Sequence, residues 1–351
     1  MADGRRGILT REPGGRAPGA RPATLIVGPS WVGDMVMAQS LCILLKAREP
    51  EAAIDMLAPA WALPIAARMP EVRAGIVAPV AHGETGLAKR WRVGRQLRGA
   101  GYGRAIVLPR SLKAALVPWF AGIPRRTGFR GEMRYGLVND MRPFDDRALD
   151  QTVKRFVALG IEPGEPLPEA PRPALRVAPE KQRAVMERLG LAGTAPAVAL
   201  MPGAEYGPAK CWPIEHFRRL AELLSGAGYA VGIFGSERER PLGEAIAGGG
   251  PARNLCGQTT LEEVIDLLAA CPQAVTNDSG LMHVAAAAGT RVIALYGSSS
   301  PAFTPPLTER RVIHYLDISC SPCFQRECPL GHFRCLREIT PEAVFASLRT
   351  A

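Results

Sequence analysis

Short apolar runs alternate with longer helical patterns along most of this 351-residue chain. Strands are predicted at the apolar runs, at residues 24–27, 54–58, 75–80, 105–108, 197–201, 230–234, 274–276 and 292–296. Helices are predicted between them, at residues 33–48, 89–99, 112–121, 214–227, 261–270 and 281–288. Strands that are separated by helices form βαβ units, in which the strands pair in parallel. The alternation therefore predicts an α/β protein built on parallel sheets.

A proline-rich stretch between residues 162 and 179 interrupts the alternation. Proline cannot donate to a sheet and disfavours helix, so we interpret this stretch as an interdomain connector. Two similar α/β halves joined in this way leave a cleft between them, with ligands expected at the carboxyl ends of the strands. The predicted segments are a disordered basic tail at 1–23, Rossmann-like domains at 24–165 and 181–335, a linker at 166–180 and a C-terminal helix at 336–351.

Basic residues are concentrated in one part of the chain. The formal net charge is +10, and residues 89–142 hold thirteen lysines and arginines against two acids, Glu132 and Asp140. This segment, the basic belt, therefore contains the whole excess of positive charge. Such a regional excess indicates an anionic partner: a nucleic acid, a membrane face or a phosphorylated substrate.

The cellular compartment is inferred from two absences. The sequence has no run of about 18 apolar residues that would cross a membrane, and its first residues lack the apolar core of a secretory signal peptide. A cytosolic protein is therefore expected. In that reducing compartment the eight cysteines are expected to be thiols or metal ligands rather than disulfides.

A glycine-flanked loop, GPSWVGD, follows the first predicted strand. The spacing of Gly28 and Gly33 resembles a P-loop, but Asp34 stands at the position of the lysine and Met35 at that of the serine or threonine. A carboxylate there repels phosphate, which argues against a P-loop. Asp34 is thus an acid at a helix N-terminus, either functional in the cleft or only a stabiliser of the first helical turn.

The first strand of the second half is followed by the loop MPGAEYGPAKCWP. Its backbone N–H groups around Gly203 and Gly207, together with Lys210, are suited to receive a diphosphate. The alternative is a flexible turn with a solvated lysine. A later strand ends at FGSE, where Glu237 either accepts a ribose hydroxyl, as acids do in dinucleotide folds, or is a solvated loop acid.

The motif TNDSGLMH lies at a predicted strand-to-helix junction of the same half. Asp278 and Ser279 suit helix capping, and Gly280 permits close approach of a ligand to the backbone. His283 lies one turn into the helix, on the side that can face a bound phosphate. Capping alone explains part of this pattern, and its presence beside the lysine loop favours a phosphate site.

Four cysteines and a histidine follow in a C-x2-C-x4-C-x3-H-x2-C pattern: Cys320, Cys323, Cys328, His332 and Cys335. Such a set is compatible with a structural zinc ion or an iron–sulfur cluster. Disulfides and free thiols are the alternatives, because the spacing is not close to the common metal signatures. A catalytic role is not expected of clustered cysteines.

Two motifs are absent from the sequence. It contains no D-x-D pair of the kind that chelates a metal–nucleotide complex, and no G-x-G-x-x-G follows the first strand of either half. The second absence argues against a nicotinamide cofactor. A nucleic-acid-binding protein is a rival hypothesis, weakened because the basic belt has few aromatic residues and no recognised nucleic-acid module.

From Thr24 to Pro306 the chain resembles the lipopolysaccharide heptosyltransferase II family, within glycosyltransferase family 9. The resemblance is carried by GPSWVGDMVMAQSL, APAWALPIAARMPEV, AALVPWFAGIPRRTGFRGEMRYGLVND, MPGAEYGPAKCWP and TNDSGLMHVAAAAGTRVIALYGSSSPAFTPPL. It implies a GT-B fold, in which two Rossmann-like domains face each other across a cleft. The acceptor is then expected in the N-terminal half and the nucleotide sugar in the C-terminal half.

The resemblance also implies a reaction. It is an inverting, metal-independent transfer of L-glycero-D-manno-heptose from ADP-heptose to the first heptose of the inner core, on heptosyl-Kdo2-lipid A. The enzyme is expected in the cytoplasm of a Gram-negative bacterium, peripherally bound at the inner membrane face, and without a nucleic-acid partner. A type I or III heptosyltransferase and a GT-B sugar-nucleotide epimerase are the alternatives.

Residue roles follow from the same resemblance. The family's general base matches Asp34, and its donor-binding positions fall on Gly203, Lys210, Glu237, Asp278, Ser279, Gly280 and His283. Ala204 and Glu205 stand where the sister heptosyltransferase I has a hydroxyl pair, so Lys210 is the firmest match in that loop. The belt residues expected to bind the phosphorylated acceptor are Arg110, Lys113, Arg125, Arg126, Arg130 and Arg134.

The chemistry of the residues agrees with these roles. An inverting displacement needs one carboxylate to take the proton of the acceptor hydroxyl, and Asp34 is suited to it. The departing ADP needs fixed positive potential, expected from Lys210, His283 and the helix N-terminus after Asp278. Among the tryptophans, Trp31 and Trp61 are expected to stack on sugar, and Trp119 to pack in the core.

Overall fold

The computed structural model describes residues 22–78, 86–193 and 196–349 of the chain. Most of the predicted tail at 1–23 and the end of the predicted strand at 75–80 lie outside the described residues. The chain divides between Pro173 and Ala174 into two compact units. The division falls inside the stretch that we interpret as a linker.

The first unit is built on a six-stranded parallel sheet in the order β3-β2-β1-β4-β5-β6. Its strands are β1 (Ala23–Val27), β2 (Ile54–Ala58), β3 (Val72–Val77), β4 (Tyr102–Val107), β5 (Arg125–Phe129) and β6 (Asp140–Arg142). Its helices are α1 (Val32–Arg48), α2 (Leu63–Ala67), α3 (Leu87–Leu97), α4 (Leu116–Phe120) and α5 (Thr152–Ala158).

The second unit repeats this architecture, with the sheet order β12-β11-β10-β7-β8-β9. Its strands are β7 (Val198–Met201), β8 (Val231–Ile233), β9 (Arg253–Asn254), β10 (Gln273–Asn277), β11 (Arg291–Tyr296) and β12 (Arg311–Tyr315). Its helices are α6 (Pro179–Arg188), α7 (Ile214–Gly226), α8 (Arg240–Ala247), α9 (Leu261–Ala270), α10 (Gly280–Ala287), α11 (Arg334–Arg337) and α12 (Pro341–Arg349). Both sheets have the strand order of dinucleotide-binding folds.

The central strands are apolar because helices cover both faces of each sheet. Every residue of β1 and of β2 is buried, as expected for strands in the middle of a parallel sheet. The longest helix, α1, carries Asp34 in its first turn and Lys46 and Arg48 in its last. These charges complement the helix dipole at both ends.

Some predicted elements differ from those observed. The predicted helix at 112–121 is a 3₁₀ turn at Leu112–Ala115 followed by α4, which contains Pro118. The predicted C-terminal helix at 336–351 is the short α11 and then α12, which begins at Pro341. Proline breaks helices internally and is tolerated in the first turn, which explains both divisions. The charged strand β5, with the sequence RRTGF, has no apolar run and was not predicted.

Each sheet has one switch point, where chain connections run to opposite sides. In the first unit it lies between the adjacent strands β1 and β4, and in the second between β7 and β10. The loops after these strands diverge and leave a crevice at the carboxyl edge of the sheet, which is where α/β folds bind ligands. Within the described residues no helix combines the length and the apolar character needed to cross a bilayer.

Candidate functional site

The switch point of the first unit opens into a cavity of about 470 Å³. It is lined by residues 28–31 and Asp34 after β1, by Pro59 and Trp61 after β2, and by residues 108–111 and Lys113 after β4. Side chains pack closely against Gly28, where a Cβ atom would lie 2.8 Å from Met35 Cε and 2.9 Å from Met56 Sδ. The site is therefore built from strand ends, as the alternation of elements predicts.

Asp34 lines this cavity from the first turn of α1 and is half-buried. The backbone N–H groups at a helix N-terminus favour a negative charge there. Arg155, on α5, lies near enough to interact electrostatically with the Asp34 carboxylate. Asp34, selected from the sequence, thus lines the cavity, and the sequence pattern does not predict its electrostatic interaction with Arg155.

Cationic side chains dominate the lining. Among the described residues that line the cavity, Arg90, Arg110, Lys113 and Arg155 are basic, and Asp34 is the single acid. Arg110 and Arg155 also contact the ring of Phe144, with their guanidinium carbons 4.2 Å and 5.0 Å from its centroid. Burial lowers the pKa of Arg155, yet arginine remains protonated in proteins. The cavity is thus suited to a ligand with several negative charges.

Three arginines expected at the acceptor site bind other groups of the protein instead. Arg125 forms ion pairs with Asp140 at 2.9 Å and Glu162 at 2.6 Å, and the Glu162 hydrogen bond raises its pKa. Arg126 donates to the carbonyl of Leu137 at 2.7 Å. Arg134 is fully buried and donates to the carbonyls of Pro109 and Phe129 at 2.7 Å and 2.6 Å.

The structure thus separates the six predicted acceptor residues into two groups. Arg110 and Lys113 line the cavity. Arg125, Arg126 and Arg134 stabilise the strands and loops that carry it, and Arg130 is exposed outside the lining. The sequence could not separate these groups, because all six side chains belong to the same basic belt.

The three tryptophans considered in the sequence also differ in their position relative to the cavity. Trp31 and Trp61 line the cavity, and the Trp61 indole N–H donates to the Ser30 carbonyl at 3.1 Å. The expectation that Trp119 packs in the core is wrong, because its side chain is 46% exposed and outside the cavity. Arg90, Phe144 and Arg155 are lining residues that the sequence analysis did not assign to the site. Arg90 had a signal, its place in the basic belt, whereas Arg155 lies outside that segment.

The switch point of the second unit is organised around an ion pair. Lys210, in a 3₁₀ turn after β7, lies 2.6 Å from the carboxylate of Asp278, which follows β10. The two side chains are 18% and 5% exposed. The Thr304 hydroxyl donates to the other Asp278 oxygen at 3.4 Å. The ammonium predicted to face a diphosphate is therefore neutralised by a residue of the same predicted site.

Asn277 fixes the two loops of this switch point against each other. Its side-chain amide donates to the Pro202 carbonyl at 2.6 Å, and its side-chain oxygen accepts the Trp212 backbone N–H at 3.0 Å. Ser279 is the N-cap of α10 without a side-chain capping bond, and α10 begins at Gly280. The first N–H groups of α10 thus lie directly beside the ion pair in sequence and are available for an anion.

His283 does not supply the positive charge expected of it. Its side chain is 4% exposed, and burial lowers its pKa to about 4; the Asp278 charge opposes this more weakly, and the Lys210 charge lowers the pKa further. At neutral pH the imidazole is therefore uncharged. The prediction of fixed positive potential from His283 is wrong because the sequence did not reveal its burial.

Glu237 begins the 3₁₀ turn that follows β8 and is exposed. Its carboxylate accepts two hydrogen bonds from Arg240, at 2.9 Å and 2.7 Å, and this contact lowers the pKa of Glu237. Glu239, which the sequence analysis did not select, lies against the lysine loop. A Cβ atom at Gly203 would lie within 1.4 Å of the Glu239 carboxylate. Glycine at position 203 thus leaves room for the Glu239 carboxylate between the β7 and β8 loops.

The clustered cysteines line one small cavity of about 20 Å³ in the second unit. Cys320, Cys323, Cys328, Cys335 and His332 all contribute to it. All eight cysteines are free thiols in the structure. Across residues 22–78, 86–193 and 196–349, no three His, Cys, Asp or Glu side chains stand in a metal-coordinating arrangement.

Comparison with known proteins gives consistent results. The model of glycosyltransferase family 9 (heptosyltransferase) matches residues 90–334. The chain is 44% identical over 336 residues to lipopolysaccharide heptosyltransferase 2 of Escherichia coli K12, covering 92% of this chain and 97% of that protein. It is 43% identical over 340 residues to lipooligosaccharide heptosyltransferase 2 of Haemophilus influenzae, with coverages of 92% and 97%.

A solved structure is similar over the same length. The structure of the E. coli ADP-heptose lipopolysaccharide heptosyltransferase II superposes with a TM-score of 0.83 at 43% sequence identity. The superposition covers 93% of this chain and 97% of that chain. The similarity therefore includes both α/β units and both switch points.

Proposed function

This chain belongs to glycosyltransferase family 9, the heptosyltransferases, and on that premise we propose that Asp34 is its general base. The family resemblance and the GT-B architecture predicted from the sequence are both confirmed. The chain is a glycosyltransferase that transfers heptose in the lipopolysaccharide inner core. The proposed donor is ADP-heptose and the proposed acceptor is the first heptose of heptosyl-Kdo2-lipid A.

One observation carries the assignment of Asp34: it is the single carboxylate among the described side chains of a cation-lined cavity. In the proposed step, the acceptor hydroxyl oxygen forms a bond to the anomeric carbon of the donor. The bond from that carbon to the ADP oxygen breaks, and the hydroxyl proton passes to Asp34. A single displacement of this kind inverts the anomeric configuration.

The cations around Asp34 have two roles in this proposal. They bind the phosphates of the acceptor core, with Arg110 and Lys113 at one wall and Arg90 and Arg155 at others. Arg155 also interacts electrostatically with the Asp34 carboxylate, so that a cation accompanies the proposed base.

The leaving diphosphate is proposed to bind at the second switch point. The N–H groups at the start of α10 carry the positive end of the helix dipole. Lys210 supplies the one full charge, by turning from Asp278 toward the diphosphate. With no D-x-D pair in the sequence, the proposed reaction stabilises ADP through these groups and without a metal ion. Glu237 is proposed to accept a ribose hydroxyl once it releases Arg240.

A membrane-facing surface is proposed on α3. This helix exposes Leu87 and Trp91 together with Lys89, Arg92 and Arg95, and the Arg95 guanidinium lies 5.4 Å from the Trp91 ring centroid. Helices with exposed tryptophan, leucine and basic residues bind anionic lipid surfaces peripherally. Such contact at the cytoplasmic face of the inner membrane would hold the enzyme near its lipid-linked acceptor.

The direct test is incubation with ADP-heptose and heptosyl-Kdo2-lipid A, with the product identified by mass and by the anomeric configuration of the new linkage. Addition of one heptose with inverted configuration is expected. Transfer to Kdo2-lipid A that lacks heptose would instead indicate a type I enzyme. Conversion of ADP-heptose without any acceptor would indicate an epimerase and contradict the proposal.

A further inference from the structure

The segment from residue 320 to 335, named here the cysteine segment, encloses the small cavity described above. Its four thiols and His332 line that cavity together with Ala209 and Ser298. The volume is about 20 Å³, and a single water-sized guest needs roughly 10–15 Å³. The cavity therefore has room for one ion or one water molecule and excludes a cluster of several iron and sulfur atoms.

A buried polar atom at this cavity has no protein partner. Ser298 is 1% exposed, and its hydroxyl oxygen makes no hydrogen bond within the described residues. Buried hydroxyl groups are nearly always hydrogen-bonded. An unpaired hydroxyl at the wall of a thiol-lined cavity indicates that the natural guest is polar or charged.

The backbone of the segment turns tightly after Cys328. The Gly331 N–H donates to the Cys328 carbonyl at 3.1 Å. Among the described non-glycine residues, positive φ occurs at Asp317 (47°), Phe324 (54°) and Phe333 (51°). This left-handed conformation is strained for residues that carry a side chain. Its concentration in and beside one segment indicates that the segment is shaped for a site.

We propose that the cysteine segment binds one divalent ion of the zinc class through Cys320, Cys323, Cys328 and Cys335. Four sulfur ligands form a tetrahedral structural site, and the C-x2-C spacing of the first two is typical of such sites. His332 is a weaker candidate because its Nδ1 accepts the Arg334 backbone N–H at 3.0 Å. The four thiol protons pass to solvent as the ion binds, and no electron is transferred.

Binding requires small side-chain movements. The thiols surround the cavity without standing in a coordinating arrangement in the part of the chain that the structure describes. All four cysteine side chains already line one cavity, and the proposed binding requires their sulfur atoms to turn toward its centre.

The cysteine segment contacts the loop after β7, which carries Lys210, so a bound ion would affect that loop. The Ala209 N–H donates to the Arg326 carbonyl at 3.0 Å, and the Tyr206 hydroxyl donates to the Phe324 carbonyl at 2.7 Å. A Cβ atom at Gly207 would lie 2.5 Å from the Arg326 oxygen. The cysteine segment thus holds the loop that carries Lys210, and the ion positions that loop. This consequence rests on the proposed function, whereas the metal site does not.

Metal analysis tests the site directly. Protein reduced under anaerobic conditions, offered Zn²⁺ or Fe²⁺ separately and then desalted, is expected to retain about one ion per chain, as the closed four-ligand site implies. Cys328→Ser and Cys320→Ser are expected to lose it, whereas Cys271→Ala, at a buried cysteine outside the cavity, keeps it. Wild-type protein without stoichiometric metal, or Cys328→Ser that retains it, would overturn the proposal.

A second experiment uses wild-type protein only, so that misfolding of a variant cannot confuse the result. ADP affinity is measured by calorimetry on the metal-loaded protein and on the same protein after chelation. Removal of the metal is expected to weaken ADP binding about tenfold, and return of the metal to restore it. Equal ADP affinity with and without a bound ion would refute the positioning role. Absence of ADP binding in both forms, with one ion still bound, would instead count against the proposed donor site.

Discussion

The two switch points have the same strand order but differ in electrostatics. In the first unit, four basic side chains and one carboxylate face an open cavity of about 470 Å³. In the second, the one lysine of the β7 loop is held by Asp278 at 2.6 Å, and the neighbouring His283 is uncharged. The first site thus presents an excess of positive charge, whereas the second holds its lysine in an ion pair. In the function proposed above, a ligand of the second site exchanges with Asp278 for Lys210.

The largest effect is expected at the carboxylate of the first switch point. Asp34→Asn should lower kcat for heptose transfer by at least about 100-fold, because a general base contributes roughly 10²–10⁴-fold. The dissociation constant for ADP-heptose, measured by calorimetry, should stay unchanged. Glu51→Gln, at an exposed acid of the same unit, is the matched control. Near-normal turnover of Asp34→Asn would show that the first switch point is only a binding site.

The exchange of partners at the second switch point is tested by removing each partner. Lys210→Ala should lower the free energy of unfolding by about 3 kcal/mol, since it leaves the buried Asp278 carboxylate unpaired, and should weaken ADP binding at least tenfold. Asp278→Asn should affect ADP binding much less, because the ammonium remains.

The double variant at these positions separates stability from binding. Lys210→Ala with Asp278→Asn should recover most of the unfolding free energy, measured by urea denaturation, without recovering ADP affinity. Equal loss of ADP affinity in both single variants would indicate that the pair acts as a rigid unit. That result would contradict the exchange of partners proposed for the second switch point.

His283 provides a pH-dependent test of its uncharged state. Its pKa is lowered to about 4 in the folded protein, against about 6.5 when unfolded. Between these values the unfolded chain binds more protons, so stability should fall as the pH drops from 6.5 toward 4, by up to about 3 kcal/mol. His283→Gln should show a shallower decrease in unfolding free energy over that range. The same pH slope in both proteins would mean that His283 is charged when folded.

Variants of two arginines of the basic belt test which of them binds the acceptor and which stabilises the first unit. Arg110→Gln should raise the KM for the lipid acceptor about tenfold, equivalent to about 1.4 kcal/mol, because it removes a cation from the cavity. Arg125→Gln should leave that KM nearly unchanged and lower the melting temperature, since it breaks the contacts with Asp140 and Glu162. The reverse result, a raised KM for Arg125→Gln and an unchanged KM for Arg110→Gln, would place the acceptor at Arg125 and outside the cavity.

The smallest effect is expected on the outer surface of the first unit. Leu87→Ser with Trp91→Ser on α3 should reduce co-sedimentation with vesicles containing anionic lipid severalfold, because these exposed side chains supply the apolar contact. Activity on a detergent-solubilised acceptor should not change. Leu316→Ser, at an exposed leucine of the second unit, is the control. Equal vesicle binding by wild-type and variant proteins would contradict the proposed membrane-facing surface on α3.

The sequence predicted the two sheets and the loops that form both switch points. This succeeded because apolar periodicity is local, and because parallel strands bring their carboxyl ends to one edge. Asp34 and the motifs around Lys210 and Asp278 follow directly after such strands. By contrast, β5 was missed because its RRTGF sequence has no apolar run, and its stability comes from neighbours such as Asp140.

The sequence by itself determined the family, the architecture and the loops in which the functional side chains lie. Only the tertiary structure decided which charges face a ligand. Packing of α5 on α1 brings Arg155 within electrostatic range of Asp34. Pairing joins Lys210 to Asp278 across 68 positions, and burial lowers the pKa of His283 so that it is uncharged at neutral pH. The physical reason is that strand and helix formation depends on neighbours along the chain. Ion pairing and desolvation depend on neighbours in space, which a linear pattern does not record.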